Sequence, residues 1–188
     1  MNLRLTALPL ITLLAAACAA PAPPTPYVVA SLQPTRGNTA AGTVWLYADG
    51  ADVVLRGRVT GLVPNQEHGF HVHEKGDCSS GDGMSTGGHL NPNARKHGAQ
   101  NAEHHVGDLP ALKADASGSA PVRMRIAGSV LGSGPADMAG KALIVHAGPD
   151  DYVTQPTGNS GARIACGMIS ASAGRDAAGN AVALPKDL

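Results

Sequence analysis

Residues 53–59, VVLRGRV, put Leu55 and Val59 on one side of an extended chain and Arg56 and Arg58 on the other. Residues 121–126, PVRMRI, repeat the arrangement, with Val122, Met124 and Ile126 opposed to Arg123 and Arg125. A period of two marks half-buried antiparallel strands. Similar runs occur at 27–32 (YVVASL), 42–48 (GTVWLYA), 68–74 (HGFHVHE), 142–146 (ALIVH) and 162–169 (ARIACGMI). Turn formers lie between them at Asp49-Gly50, from Gly61 to Asn65 and at Ser117-Gly118. Short strands at such spacing predict an all-β sandwich or flattened barrel over residues 27–170.

The stretch from 75 to 110 breaks the pattern. KGDCSSGDGMSTGGHLNPNARKHGAQNAEHHVGDLP has no period and is rich in His, Asn, Asp and Gly. A loop this long inside a compact domain is as a rule functional or disordered, and for this one ligands are the expected source of order. The ends of the chain follow other rules. Residues 1–20 read as an export signal, with Arg4 as the n-region charge and Leu5 to Leu14 as an apolar run too short for a permanent span. Two processing patterns fit. Ala15-Ala16-Ala17 before Cys18 resembles a lipoprotein box, although Ala15 stands where such boxes usually carry Leu. Ala17-Cys18-Ala19 is an ordinary A-x-A cut. The first makes Cys18 a lipid anchor on a periplasmic, membrane-tethered protein; the second gives a plain exported one. Residues 21–26, PAPPTP, are a Pro/Ala tether, and the Ala/Gly-rich residues 171–188 read as a flexible extension.

Composition narrows the class. With 14 basic and 14 acidic residues the chain has no net charge, which argues against nucleic acid as a partner. The 24 glycines and 14 prolines, with few aromatics, suit strands and loops rather than a helical bundle. There are 3 cysteines. If Cys18 is lipidated or removed, Cys78 and Cys166 remain, and an oxidising compartment lets them form a disulfide; two separate buried thiols are the alternative.

The histidines carry the chemistry. In GFHVH, His71 and His73 project from the same face of a strand, while Phe70 and Val72 face the core. His89, His97, His105 and Asp108 follow along the loop, and His146 ends the apolar strand ALIV. Three imidazoles and a carboxylate make a closed four-coordinate set, which is structural in type. His71, His73 and His146 form a second, nitrogen-rich group suited to copper, zinc or nickel.

At this point the motifs carry a resemblance. GFHVH (69–73), GGHLNP (87–92), ARKHG (94–98), HHVGDL (104–109), VHAGPDD (145–151) and TGNSGARIACG (157–167) resemble, in order, the copper/zinc superoxide dismutase family, bacterial branch. The resemblance implies an eight-stranded Greek-key barrel with a long metal-binding loop, and dismutation of superoxide to dioxygen and hydrogen peroxide. It implies copper on His71, His73, His89 and His146, and zinc on His89, His97, His105 and Asp108, with His89 shared. It implies Asp150 as a carboxylate linking ligands of both metals, Arg163 as the arginine beside the copper channel, and a Cys78–Cys166 disulfide. His68 matches a structural histidine, and His104 falls outside both ligand sets, on the solvent side. The chain departs from eukaryotic members in a short 147–162 stretch without their Glu/Lys run and in a longer insertion between Cys78 and His89. Steering residues (Lys75, Arg95 and Lys96 are candidates) and the choice between homodimer and monomer therefore stay open. A non-catalytic periplasmic copper/zinc-binding protein on the same fold is the competing reading. A zinc hydrolase would need an open coordination position and a general base such as Glu74 or Glu103, without the helical setting such enzymes use.

Overall fold

The computed structural model describes residues 27–171, 174–176 and 178–182. The expected export signal, the tether and Cys18 lie outside the described residues.

The alternating runs form β1 (Tyr27–Pro34), β2 (Ala41–Asp49), β3 (Asp52–Thr60), β4 (Glu67–His68), β5 (Phe70–His73), β6 (Leu112–Lys113), β7 (Ala120–Ala127), β8 (Ala142–His146) and β9 (Arg163–Met168). A seven-stranded antiparallel sheet runs in the order β5-β8-β9-β1-β2-β3-β7, and β4 pairs with β6. β6 in turn lies against β7, so the two ends of the curled sheet approach each other. β4 and β5 are one run of chain divided at Gly69, whose N–H donates to Gly148 O (2.8 Å) while its carbonyl accepts from His146 N (2.8 Å). Counted as one strand, they give the eight expected for the barrel.

The strand register explains the alternation. Leu46, Leu55 and Met124 are paired across β2, β3 and β7 on the inner face. The next register positions pair Trp45 with Arg56 and Arg56 with Arg123 on the outer face. Gly50 takes φ 65° in the tight turn that joins β2 to β3, a conformation that costs a glycine little. Val44, Leu46, Leu55, Phe70, Val72, Leu143 and Val145 are among the buried residues of one core.

β6, of two residues, has no counterpart among the sequence runs; it is too short to show a period. In the expected C-terminal extension, Gly174 N donates to Tyr27 O (2.9 Å) and the Tyr27 hydroxyl donates to Val182 O (2.6 Å). These described residues of the extension are folded back on the start of β1.

Candidate metal centre

β5 is the platform of the site. One edge pairs with β8. The other is zipped to the long loop: Glu74 N donates to Gly88 O (2.9 Å), Leu90 N to Val72 O (2.8 Å), Val72 N to Gly107 O (2.9 Å) and Leu109 N to Phe70 O (3.3 Å). Phe70 and Val72 enter the core, as the alternation predicts. His71 and His73 point to the opposite face, yet both are fully buried, because the loop covers them. The Cys78–Cys166 disulfide fastens the same loop to β9.

Two histidine-rich clusters result. The first is His71, His73, His89 and His146, with ligand atoms all within 4.8 Å of one another. Hydrogen bonds fix which nitrogen of each ring faces inward, since a carbonyl or carboxylate can only accept. His71 Nε2 donates to Asp150 Oδ2 (2.7 Å), His73 Nδ1 to Gly87 O (2.9 Å) and His146 Nδ1 to Gly161 O (3.1 Å). The opposite nitrogens, His71 Nδ1, His73 Nε2 and His146 Nε2, are buried without a hydrogen-bond partner, and so is His89 Nε2. Buried polar atoms are nearly always paired, so four converging lone nitrogens are a donor set for a cation.

The second cluster is His89, His97, His105 and Asp108. His89 Nδ1, His97 Nδ1 and His105 Nδ1 lie 2.8, 3.0 and 3.1 Å from the same oxygen, Asp108 Oδ1. The outer nitrogens are engaged: His97 Nε2 with Asp150 Oδ1 (2.9 Å) and His105 Nε2 with Arg95 O (3.1 Å). His105, with Nε2 donating to Arg95 O, therefore turns a lone pair toward the carboxylate oxygen, while His97 points an Nδ1–H at the same oxygen; a divalent cation in place of that proton satisfies both rings and the carboxylate. The second oxygen of Asp108 accepts from Gly98 N (3.1 Å) and His105 N (2.9 Å), which aims the carboxylate. His89 belongs to both clusters, with Nδ1 in one and Nε2 in the other.

Protonation follows from the same contacts. Burial lowers His71 to about 4, His73 to about 2 and His146 to about 3, so all three are neutral and able to donate a lone pair at neutral pH. Burial also lowers His105. For His97 burial acts in the same direction, but hydrogen bonds to Asp108 and Asp150, with their charges, outweigh it and raise the ring to about 9. Burial opposes ionisation of Asp108 and Asp150, yet the histidine and amide donors around each hold both well below the usual carboxylate range.

Arg163, half-buried on β9, donates through Nη1 to Gly83 O (2.6 Å) and Thr86 Oγ1 (2.9 Å) and through Nη2 to Gly87 O (2.8 Å). Its charge contributes to the low values at His73 and His146. Asp150 joins the clusters by accepting from His71 with one oxygen and His97 with the other. His68 Nδ1 donates to His146 O (2.8 Å), and His104, in neither cluster, bonds Ala102 O (2.8 Å). Lys75, Arg95 and Lys96 are exposed. Glu74 Oε1 accepts from Gly88 N (3.3 Å).

Sequence reasoning passed over several supports. Gln155 clamps the His97 backbone from both sides, with Oε1 on His97 N (2.8 Å) and Nε2 on His97 O (2.9 Å). The Tyr152 ring is nearly parallel to His97. Gly158 takes φ 67°, and a side chain there would collide with Asp150 and His97. Thr86 is fully buried beside His73. The Gly in TGNSG was the one visible signal among these; the others need the fold.

Comparison with known proteins agrees with this geometry. The family profile described as copper/zinc superoxide dismutase (SODC) matches residues 40–169. "Superoxide dismutase [Cu-Zn] 2" of Aquifex aeolicus (strain VF5) is 39% identical over 133 residues, covering 68% of this chain and 78% of the relative. "Extracellular superoxide dismutase [Cu-Zn]" of Haemonchus contortus is 39% identical over 143 residues, covering 71% and 76%. Among solved structures, a SOD-like protein from Bacillus subtilis has a TM-score of 0.67 at 36% identity, covering 74% of this chain and 95% of that one. The clock protein EA4 has a TM-score of 0.70 at 36% identity, covering 78% and 94%.

Proposed function

The chain belongs to the copper/zinc superoxide dismutase family, and from that membership we propose that it dismutes superoxide. Two superoxide anions and two protons become one dioxygen and one hydrogen peroxide. The observation that carries the reading is the His89 ring, with Nδ1 on Asp108 and Nε2 among three unpaired imidazole nitrogens. His71 Nδ1, His73 Nε2, His89 Nε2 and His146 Nε2 would hold copper; His89, His97 and His105 through Nδ1, with Asp108, would hold zinc. When bound, copper supplies one-electron redox chemistry and zinc a redox-inert charge on the far side of His89.

The chain's own groups do the rest. His89 Nε2, buried without a partner, would take up a proton and return it to the departing peroxide. The Nδ1 contact with Asp108 would keep the ring in place while it does so. Asp150 locks His71 and His97 in the tautomers their inner nitrogens need. Arg163 retains the second hydrogen of Nη2 and its Nε hydrogen without a partner among the described residues, and these meet the anion. Electrostatic focusing of this kind is already established for superoxide dismutases as a class. The reading of residues 1–20 as an export signal supports an exported, periplasmic enzyme, tethered to the membrane if Cys18 is lipidated.

A metal carrier on the same fold has no need of a shared ring or of an arginine with free N–H groups. The test is metal analysis together with superoxide consumption by the mature protein loaded with copper and zinc. The proposal expects fast consumption that disappears on chelation. Full loading of both metals at the uncatalysed rate contradicts it and favours the carrier.

A further inference from the structure

Thr86 is fully buried in the long loop, in the short 3-10 turn Met84–Thr86. Its hydroxyl makes three polar contacts. It donates to Gly83 O (2.8 Å), accepts from Arg163 Nη1 (2.9 Å), and lies 3.1 Å from His73 Nδ1. Nδ1 carries the ring hydrogen, because it also meets the Gly87 carbonyl at 2.9 Å. The hydroxyl therefore accepts from the imidazole as well. One hydrogen and two lone pairs are all a hydroxyl has, and all three are engaged. The Gly87 carbonyl makes a parallel link, accepting from both His73 Nδ1 and Arg163 Nη2.

We propose that the Thr86 hydroxyl is a positioning group that ties the Arg163 guanidinium to the His73 imidazole, so that the anion-attracting arginine and one ring of the first cluster are oriented as a unit. Without it, one Arg163 hydrogen loses its acceptor inside the protein, and His73 Nδ1 is left with only the Gly87 carbonyl, which it already shares with the same arginine. Both groups then gain freedom to turn. A methyl in place of the hydroxyl keeps the shape and removes the link, whereas serine keeps the link and removes only a methyl. The proposal rests on the reading of His73 as a copper ligand and Arg163 as the group that meets the anion, but it does not require turnover.

The experiment uses the copper- and zinc-loaded protein and azide as the probe anion, with Thr86→Val and Thr86→Ser compared to wild type. Azide affinity is read from a visible-absorption titration, and the His73 environment from the copper(II) electron paramagnetic resonance spectrum. Thr86→Val should weaken azide binding roughly 5- to 10-fold, the effect of one lost buried hydrogen bond, and should change the copper spectrum. Thr86→Ser should restore both. If Thr86→Val fails to load metal, Thr86→Ala against Thr86→Ser decides the same question. Wild-type values in the hydroxyl-free variant overturn the proposal. So does an equal loss in Thr86→Ser, which would trace the effect to the methyl, and so does a changed spectrum with unchanged azide affinity, which would leave the arginine uncoupled. A wild-type protein inactive toward superoxide would sink the dismutase reading while leaving this comparison intact.

Discussion

His97 is hydrogen-bonded through Nε2 to Asp150 at 2.9 Å, and the other oxygen of that carboxylate receives His71 Nε2 at 2.7 Å. One side chain thus orients a ring of each cluster. Asp150→Ala should weaken both metal sites, by about 10- to 100-fold in affinity, because outer partners of ligating histidines typically contribute that much. Competition against a chromophoric chelator measures it for each metal. Loss at one site only would show that the carboxylate does not link them.

Acid should destabilise the metal-free protein well before ordinary carboxylates titrate. His71, His73 and His146 are held below the ordinary histidine value by burial, at about 4, 2 and 3. Between pH 6.5 and those values the unfolded chain binds more protons than the folded one, so stability falls as pH falls. His97 acts in the opposite sense. Its raised value of about 9 gives stability that is complete below pH 6.5 and is lost as pH rises through 9. The melting temperature of the chelator-treated protein should therefore be highest near neutrality and drop on both sides. A flat profile from pH 4.5 to 7 contradicts the buried neutral histidines.

The Cys78–Cys166 bond closes 88 residues of chain. Cys166→Ser together with Cys78→Ser should cost about 2–5 kcal/mol in urea unfolding. It should also speed metal release, because the bond holds the ligand-bearing loop to β9.

Phe70, the single phenylalanine, is fully buried in the core, on the face of β5 opposite His71. Phe70→Ala should cost about 3–5 kcal/mol by the same measurement, through the lost burial and the cavity left behind.

Charge reversal at Arg163 addresses the approach of the anion. Arg163→Glu should lower the dismutation rate roughly tenfold or more at low salt, with metal content retained. An unchanged rate removes Arg163 from the mechanism.

Much of this was legible before any coordinates. The alternation of Leu55 and Val59 with Arg56 and Arg58 already separates the core face of β3 from its solvent face. The i, i+2 spacing of His71 and His73 already puts them on one side of β5. The structure adds what lies far apart in sequence. Burial of that second face comes from loop residues 87–90 and 107–109, through backbone hydrogen bonds that leave no side-chain signal. β6 has two residues, too few for a period to register. Thr86, Gln155 and Gly158 act through contacts with His73, His97 and Asp150 that only the folded loop creates.

The central claim is that a single ring, His89, belongs to both metal sites. Anomalous diffraction from crystals of the oxidised, copper- and zinc-loaded protein, recorded at each metal's absorption edge, tests it most directly. The account predicts one copper peak and one zinc peak on opposite sides of that imidazole, at Nε2 and Nδ1. Two ions held by separate sets of residues, with His89 bound to only one of them, would contradict it.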